Sequence, residues 1–203
     1  AVRRNMKIIY ILLTRTNTLF SQIVHLLTKA EYTHDAISLN NEMTCVYSFA
    51  RRYANNPFCI RFMREDISHG VYARNNGTPC AVYALTVSDI AYSNIKNQIE
   101  TMFNEKQSYR YNYRGVIANY LGKEHKFPRH YFCSEFVSKI LIKAGVLHTK
   151  KSPCMIRPMD FTQMTQMKMV YSGNTKDLMS FPRRNIKEVR KCFKTITQQL
   201  LNA

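Results

Sequence analysis

Cys133 is the residue of this chain best placed to act as a nucleophile. It stands in His130-Tyr131-Phe132-Cys133-Ser134-Glu135-Phe136-Val137, where an aromatic pair gives way to an apolar pattern at helical spacing. Phe136, Val137, Ile140, Leu141 and Ala144 recur along one face, and Gly145 follows as a stop signal. The spacing predicts a helix packed on a core, with Cys133 at or near its first turn. The unpaired N–H groups and the positive dipole end of such a helix favour an anion. A thiolate there has a depressed pKa and becomes a usable nucleophile. The plain alternative is a buried cysteine acting as a small hydrophobe.

A histidine lies upstream in a setting that leaves it room. Met6–Leu13 reads as a strand, Thr14-Arg15-Thr16-Asn17 as a polar break, and Thr18 as the start of a helix with Leu19, Ile23, Leu26 and Leu27 on one face. Glu31-Tyr32-Thr33-His34-Asp35-Ala36-Ile37-Ser38-Leu39 follows. His34 heads a short alternating strand. Ala36 and Ser38 share its face, while Ile37 and Leu39 point the other way.

These pieces together resemble a known family. A strand ending in Leu-Leu-Thr-Arg, a helix, Tyr-Thr-His leading a strand, and much later Tyr-Phe-Cys-Ser-Glu-Phe-Val are similar to the circularly permuted branch of the NlpC-type, papain-like thiol hydrolases. That branch includes bacterial proteins, a poxvirus group and relatives of lecithin:retinol acyltransferase. Its histidine precedes its cysteine, as His34 precedes Cys133. The resemblance covers roughly residues 6–165. It implies Cys133 as nucleophile and His34 as general base, which takes the thiol proton and later protonates the leaving group. It also implies a third polar residue on the next strand, often an acid, that orients the imidazole. That strand reads as Thr44–Ala50, where no Asp or Glu stands and Ser48 is the nearest match. Asp35 adjoins His34 but points to the opposite face. Glu135 does not share the face of Cys133 and reads as a helix-start carboxylate. The N–H of Cys133 is expected as an oxyanion donor, with Tyr32 or Tyr131 as a second.

Composition bounds these readings. A chain of 203 residues, 45% hydrophobic, is long enough and apolar enough for one domain with a sizeable core. No apolar run reaches membrane-spanning length, and Ile8–Leu13 lacks the cleavage pattern of a secretory signal. Cytoplasm is the expected compartment, with peripheral membrane attachment the variant. Ala1-Val2-Arg3-Arg4-Asn5 precedes a natural-looking start at Met6 and reads as an added remnant or the cut end of something longer. The six cysteines are scattered and form no Cys-x-x-Cys pair, so reduced thiols are expected, with Cys45 and Cys80 in the core. His125, His130 and Cys133 lie close together but lack a structural-zinc spacing, so neither metal nor cofactor is expected. His130 is near enough in sequence to lower the pKa of Cys133.

The net charge of +17 implies an anionic partner: a membrane surface, an acidic polymer or, less favoured, nucleic acid. Tyr109-Arg110-Tyr111-Asn112-Tyr113-Arg114 could stack bases, but such a run more often packs its rings and points its cations outward. Arg51–Gly77 reads as a long loop, a cleft wall or lid. Cys80–Val87 reads as a strand. A helix after Ser88-Asp89 carries Tyr92, Ile95, Ile99, Met102 and Phe103 as its stripe, and Arg114–Leu121 is a short helix stopped at Gly122. Beyond Gly145 the chain is expected to wrap irregularly over the domain. From Pro182, Ile186, Val189, Phe193, Ile196 and Leu200 form a narrow seam flanked by lysines and arginines. This helix would rest on an anionic membrane, dock on its own domain, or pair with a second copy.

The expected architecture is α+β: an antiparallel sheet or half-barrel backed by the cysteine helix, with residues 166–203 a basic, helical C-terminal extension. The expected activity is thiol chemistry on an amide or ester of a peptide or lipid, through a Cys133 thioester resolved by water or an acceptor amine. The contrasting expectation is a catalytically weak or inactive member that binds an anionic membrane or nucleic acid through its basic surface.

Overall fold

A computed structural model of the chain describes residues 6–15, 22, 25–26, 28–53, 56, 59–69, 72 and 77–180. The seam from Pro182 to Leu200 lies outside the described residues, as does most of the helix expected from Thr18. Of that helix, Gln22, His25, Leu26 and Thr28 are described, and they are helical.

The fold is α+β, built on a six-stranded antiparallel sheet. Its strands are β1 (Met6–Thr14), β2 (His34–Ser38), β3 (Val46–Arg51), β4 (Ile60–Glu65), β5 (Pro79–Ser88) and β8 (Lys168–Asn174), in the spatial order β4-β3-β2-β1-β5-β8. Three helices connect or cover them: α1 (Asp89–Asn104), α2 (Tyr113–Tyr120) and α3 (Cys133–Lys143). A two-residue parallel pair, β6 (Arg110–Tyr111) and β7 (His130–Tyr131), ties the approach of α2 to that of α3. Helix α4 (Thr175–Ser180) follows β8.

The central strand β1 is apolar without alternation because both faces of the sheet are covered. Ile9, Ile11 and Leu13 face a core shared with Ile37, Phe49, Phe62 and the apolar stripes of α1 and α3. Tyr10 and Leu12 face a smaller core with Ala36, Val46, Cys80 and Val82. The opposition of Ala36 to Ile37 is the one expected from the alternation of β2. Phe136 of α3 is 1% exposed and lies between Phe62, at a ring-centroid distance of 5.0 Å, and Phe49, at 6.0 Å. This contact clamps the cysteine helix to the sheet. Phe136→Ala is expected to cost about 3–5 kcal/mol in a urea unfolding titration, from lost transfer energy plus a cavity that rigid strands cannot close.

Helix ends follow local chemistry. Ser88 caps α1 by accepting the N–H of Ala91 at 3.1 Å. Gly145 ends α3 with φ +71°, and the bonds Gly145 N–H to Ile142 O and Val146 N–H to Leu141 O form a Schellman motif.

Two stretches expected to be irregular are strands. Arg51–Gly77 is not one long loop, because β4 occupies Ile60–Glu65 within it and pairs with β3 from Val46↔Glu65 to Arg51↔Ile60. After Gly145, the turns at Pro153–Met155 and Pro158–Gln163 wrap as expected, but β8 then adds to the outer edge of β5. The sheet thus takes its last strand from the stretch read as C-terminal extension. In the Tyr109–Arg114 run, Tyr111 is buried 6.4 Å from Phe49, while Arg110 and Arg114 are exposed. Packing, not base stacking, occupies its central ring.

Candidate functional site

Cys133 is the first residue of α3, with Phe132 as its N-cap. Its N–H therefore has no acceptor within the helix. Asn112 anchors the approach by accepting the N–H of Gly115 at 2.8 Å and donating to His125 O. Phe132 and Phe136 bury the turn around the thiol, which is 8% exposed.

His34 begins β2, where it pairs with Thr14 at the end of β1. Its Nε2 lies 3.1 Å from Glu65 Oε1, with the two side chains 14% and 6% exposed. Ser48 Oγ lies 3.4 Å from the same nitrogen and donates a short bond to Glu65 Oε1. Tyr72 donates to Glu65 Oε2 at 2.7 Å. Strand pairing explains the convergence. Val46 and Ser48 share a face of β3, and Glu65 stands across from Val46 on β4, diagonal to Ser48. Ala36 and Ser48 are small, which leaves space for the imidazole and the carboxylate to meet.

Electrostatics couple these groups. Burial opposes the charged form of His34, but the Glu65 charge and hydrogen bonding with Cys133 and Glu65 outweigh it, so the imidazolium is held well above the usual histidine range. Burial likewise opposes ionisation of Glu65, yet His34, Ser48 and Tyr72 hold its pKa below the usual carboxylate range. Each partner thus favours the charged form of the other. The Cys133 thiol stands above its ordinary range, not below it as its place at the helix start predicts: burial and then the charge of Asp35 push it up and outweigh the pull of His34 through hydrogen bonding and charge.

Asp35 occupies the opposite face of β2, alongside Ile37, and so faces α3. It is fully buried, and neither carboxyl oxygen has a hydrogen-bond partner of ordinary length among the described residues. Burial first, then the Glu65 charge, push its pKa up to about 7 against the pull of His34 and Cys133. It does not orient His34, as expected from the strand alternation, but it does face the thiol. Glu135, read as a helix-start carboxylate, is buried, and that burial raises it to about 7 against a bond from Asn112.

Ser48, the expected third residue, touches His34 as anticipated. The acid was missed because it lies one strand further on, in the segment read as loop. The alternation of Ile60, Phe62 and Arg64 against Arg61, Met63 and Glu65 was the available signal. Neither expected oxyanion tyrosine lines the cavity at Cys133. Tyr32 donates to Glu31 Oε1 at 2.8 Å, and the Tyr131 hydroxyl accepts from Lys139 at 2.8 Å. Tyr111 and Tyr120 line it instead. His130 is engaged with Pro128 O at 2.8 Å and with the ring of Phe127.

The cavity at Cys133 measures about 20 Å³, room for little more than one water. A roomier cavity of about 280 Å³ lies between α1 and α3, lined by Met102, Tyr109, Tyr131, Lys139 and Lys143, with no cysteine, serine or histidine in its lining. Among the described residues, no group of His, Cys, Asp and Glu side chains is arranged to hold a metal ion. Cys45, Cys59, Cys80, Cys133 and Cys154 are free thiols, with Cys80 buried and Cys45 half-buried. No described helix is long and apolar enough to cross a membrane.

Compared with protein-family models, curated proteins and solved structures, the chain matches none of them.

Proposed function

We propose that this protein is a cysteine-dependent hydrolase or acyltransferase for amide or ester bonds, of the permuted NlpC-type papain-like kind. What supports the reading is a thiol on the first turn of a core helix and, on strands far from it in sequence, a buried imidazole bonded to a buried carboxylate, with the imidazole's charge acting on the thiol. With Nε2 held by Glu65, Nδ1 is the nitrogen left to serve the thiol.

In this mechanism the pair reacts in the state that holds a single proton between them: neutral His34 takes the proton of the Cys133 thiol, and the thiolate attacks the substrate carbonyl carbon. The carbonyl electrons move onto oxygen, where the Cys133 N–H donates to the developing charge. Collapse expels the amine or alcohol with a proton from His34 and leaves a thioester. Water or an acceptor amine then attacks the thioester and restores the thiol. Glu65 sustains the imidazolium that each step requires, with Ser48 and Tyr72 fixing the carboxylate.

The test uses p-nitrophenyl acetate as an activated acyl donor, with the modified residue located by mass spectrometry. Acetylation is expected at Cys133 ahead of Cys45 and Cys59, and His34→Ala is expected to slow it by about 10²–10⁴-fold. Equal labelling of all thiols, indifferent to His34→Ala, would remove the reading.

The net charge of +17 and the tight cavity favour a second reading, a weak catalyst that binds an anionic membrane or nucleic acid. Its mark is salt-dependent binding that survives Cys133→Ala.

A further inference from the structure

The cavity beside Cys133 is also lined by Arg157, with Thr33, Asn119 and Tyr120. Arg157 is held in place. Its Nε donates to Asn119 Oδ1 at 2.7 Å, its Nη2 donates to the Asn119 carbonyl at 2.7 Å, and its guanidinium lies 4.9 Å from the centre of the Tyr120 ring. Asn119 is 2% exposed and is itself locked by donation to Cys154 O at 2.8 Å.

Both bonds of Arg157 go to a neutral amide. Among the described residues no carboxylate forms an ion pair with the guanidinium. The nearby carboxylate of Asp160 accepts from the Arg157 backbone N–H and pairs with Lys151 instead. A guanidinium carries five N–H donors, so several remain for a ligand. A purely structural latch between α2 and the turn at Pro158–Gln163 would need no charge there, and a buried or half-buried cation is usually paired. This one is held by two hydrogen bonds, forms no ion pair with any described carboxylate, and lines the same cavity as the proposed nucleophile.

We propose that Arg157 is the specificity-determining residue of the site, and that the substrate carries a carboxylate near its scissile carbonyl. The inference rests on the reading of Cys133 as nucleophile. A planar carboxylate matches the guanidinium fork. The end of α3 adds a second favourable field for the same charge.

Two alkylating agents of nearly equal shape test this. Iodoacetate and iodoacetamide react alike, the thiolate sulfur displacing iodide, but only iodoacetate carries the charge. Their rate ratio at Cys133 cancels the thiolate fraction and any change in it. In the intact protein the iodoacetate-to-iodoacetamide ratio is expected to exceed that of a free thiol such as N-acetylcysteine by at least ~10-fold. Arg157→Gln is expected to remove that preference while leaving the iodoacetamide rate within a few-fold. Lys96→Gln, which deletes one charge on the exposed face of α1, is expected to keep it. Acetate is expected to protect better than inorganic phosphate at equal concentration. A native ratio equal to that of the free thiol, or a ratio lost equally in Lys96→Gln, would overturn the assignment. Stronger protection by phosphate would overturn the carboxylate class. The native-protein ratio decides even where Arg157→Gln does not fold. If neither reagent modifies Cys133 ahead of Cys45 and Cys59, it is the nucleophile reading that fails.

Discussion

Glu65→Gln is expected to destabilise the fold by about 3 kcal/mol and to slow acetylation of Cys133 by about 10²-fold. The carboxylate is 7% exposed and accepts from His34, Ser48 and Tyr72. Glutamine keeps the size but removes the charge, and it offers a single acceptor oxygen to three donors. Breaking one partner out of a buried ion pair typically costs about 3–5 kcal/mol, because the other charge is left without compensation. Without Glu65, burial acts on His34 unopposed by its main partner, so the imidazole pKa falls and the imidazolium is lost near neutrality. Urea titration, the histidine ring signals followed by NMR against pH, and the acetylation rate each read one part of this. Ser48→Ala, which removes one donor and leaves the ion pair, is expected to cost about 1 kcal/mol. If Ser48→Ala damaged reactivity more than Glu65→Gln, the orienting role would belong to Ser48.

The pH dependence of this pair has two limbs. The lowered pKa of Glu65 contributes stability that is present above its unfolded value of 4.5 and is lost as pH falls through the folded value. The raised pKa of His34 contributes stability that is present below 6.5 and is lost as pH rises through the folded value. The pair therefore supports the fold best between those two values.

Asp35 works in the opposite direction and sets the second large effect. Its pKa rises from 3.8 to about 7 on folding, chiefly through burial. A raised carboxylate favours the folded state only while protonated, so stability falls as pH rises from 3.8 to about 7. The displacement of roughly three pH units corresponds to an upper figure of about 4 kcal/mol above neutrality. Asp35→Asn keeps the shape and cannot ionise. It is expected to raise stability at pH 8 by about 2–4 kcal/mol and to flatten the slope between pH 4 and 8, as measured by unfolding titrations across that range. It also removes the second of the influences that push the Cys133 thiol up. Alkylation of Cys133 is then expected to begin at lower pH, about tenfold faster near neutrality, if the charge is worth one pH unit. An unchanged stability slope would mean that the pKa of Asp35 is not raised on folding, and an unchanged alkylation profile would mean that its charge does not act on the thiol. The native aspartate thus holds the thiol in check.

Much of this molecule was legible before folding. The start of α3 at Cys133, its end at Gly145, the strand beginning at His34 and the Ser88 cap all follow from side-chain period and backbone chemistry within a dozen residues. Such signals are local, so the order of residues along the chain is sufficient to carry them. The facing of His34 with Ala36 and Ser38, and the reach of Ser48 to His34, came through for the same reason, because alternation sets the face of each residue.

What the sequence by itself could not determine was every pairing that depends on register between strands or on the seating of a helix. β4 looked like loop because it is short and carries Arg61 and Arg64 on an edge strand, and with it Glu65 went unseen as the partner of His34. Asp35 was set aside as facing away from His34, which is correct, but only the seating of α3 on that opposite face turns it toward Cys133. Arg157 stands in irregular chain, and only the packing of that chain against α2 brings its side chain to the cavity that Cys133 also lines. Local periodicity placed Cys133 at a helix start and His34 at a strand start, while the interactions that tune their charges span up to 99 residues, from His34 to Cys133, and exist only once sheet and helix have closed on each other.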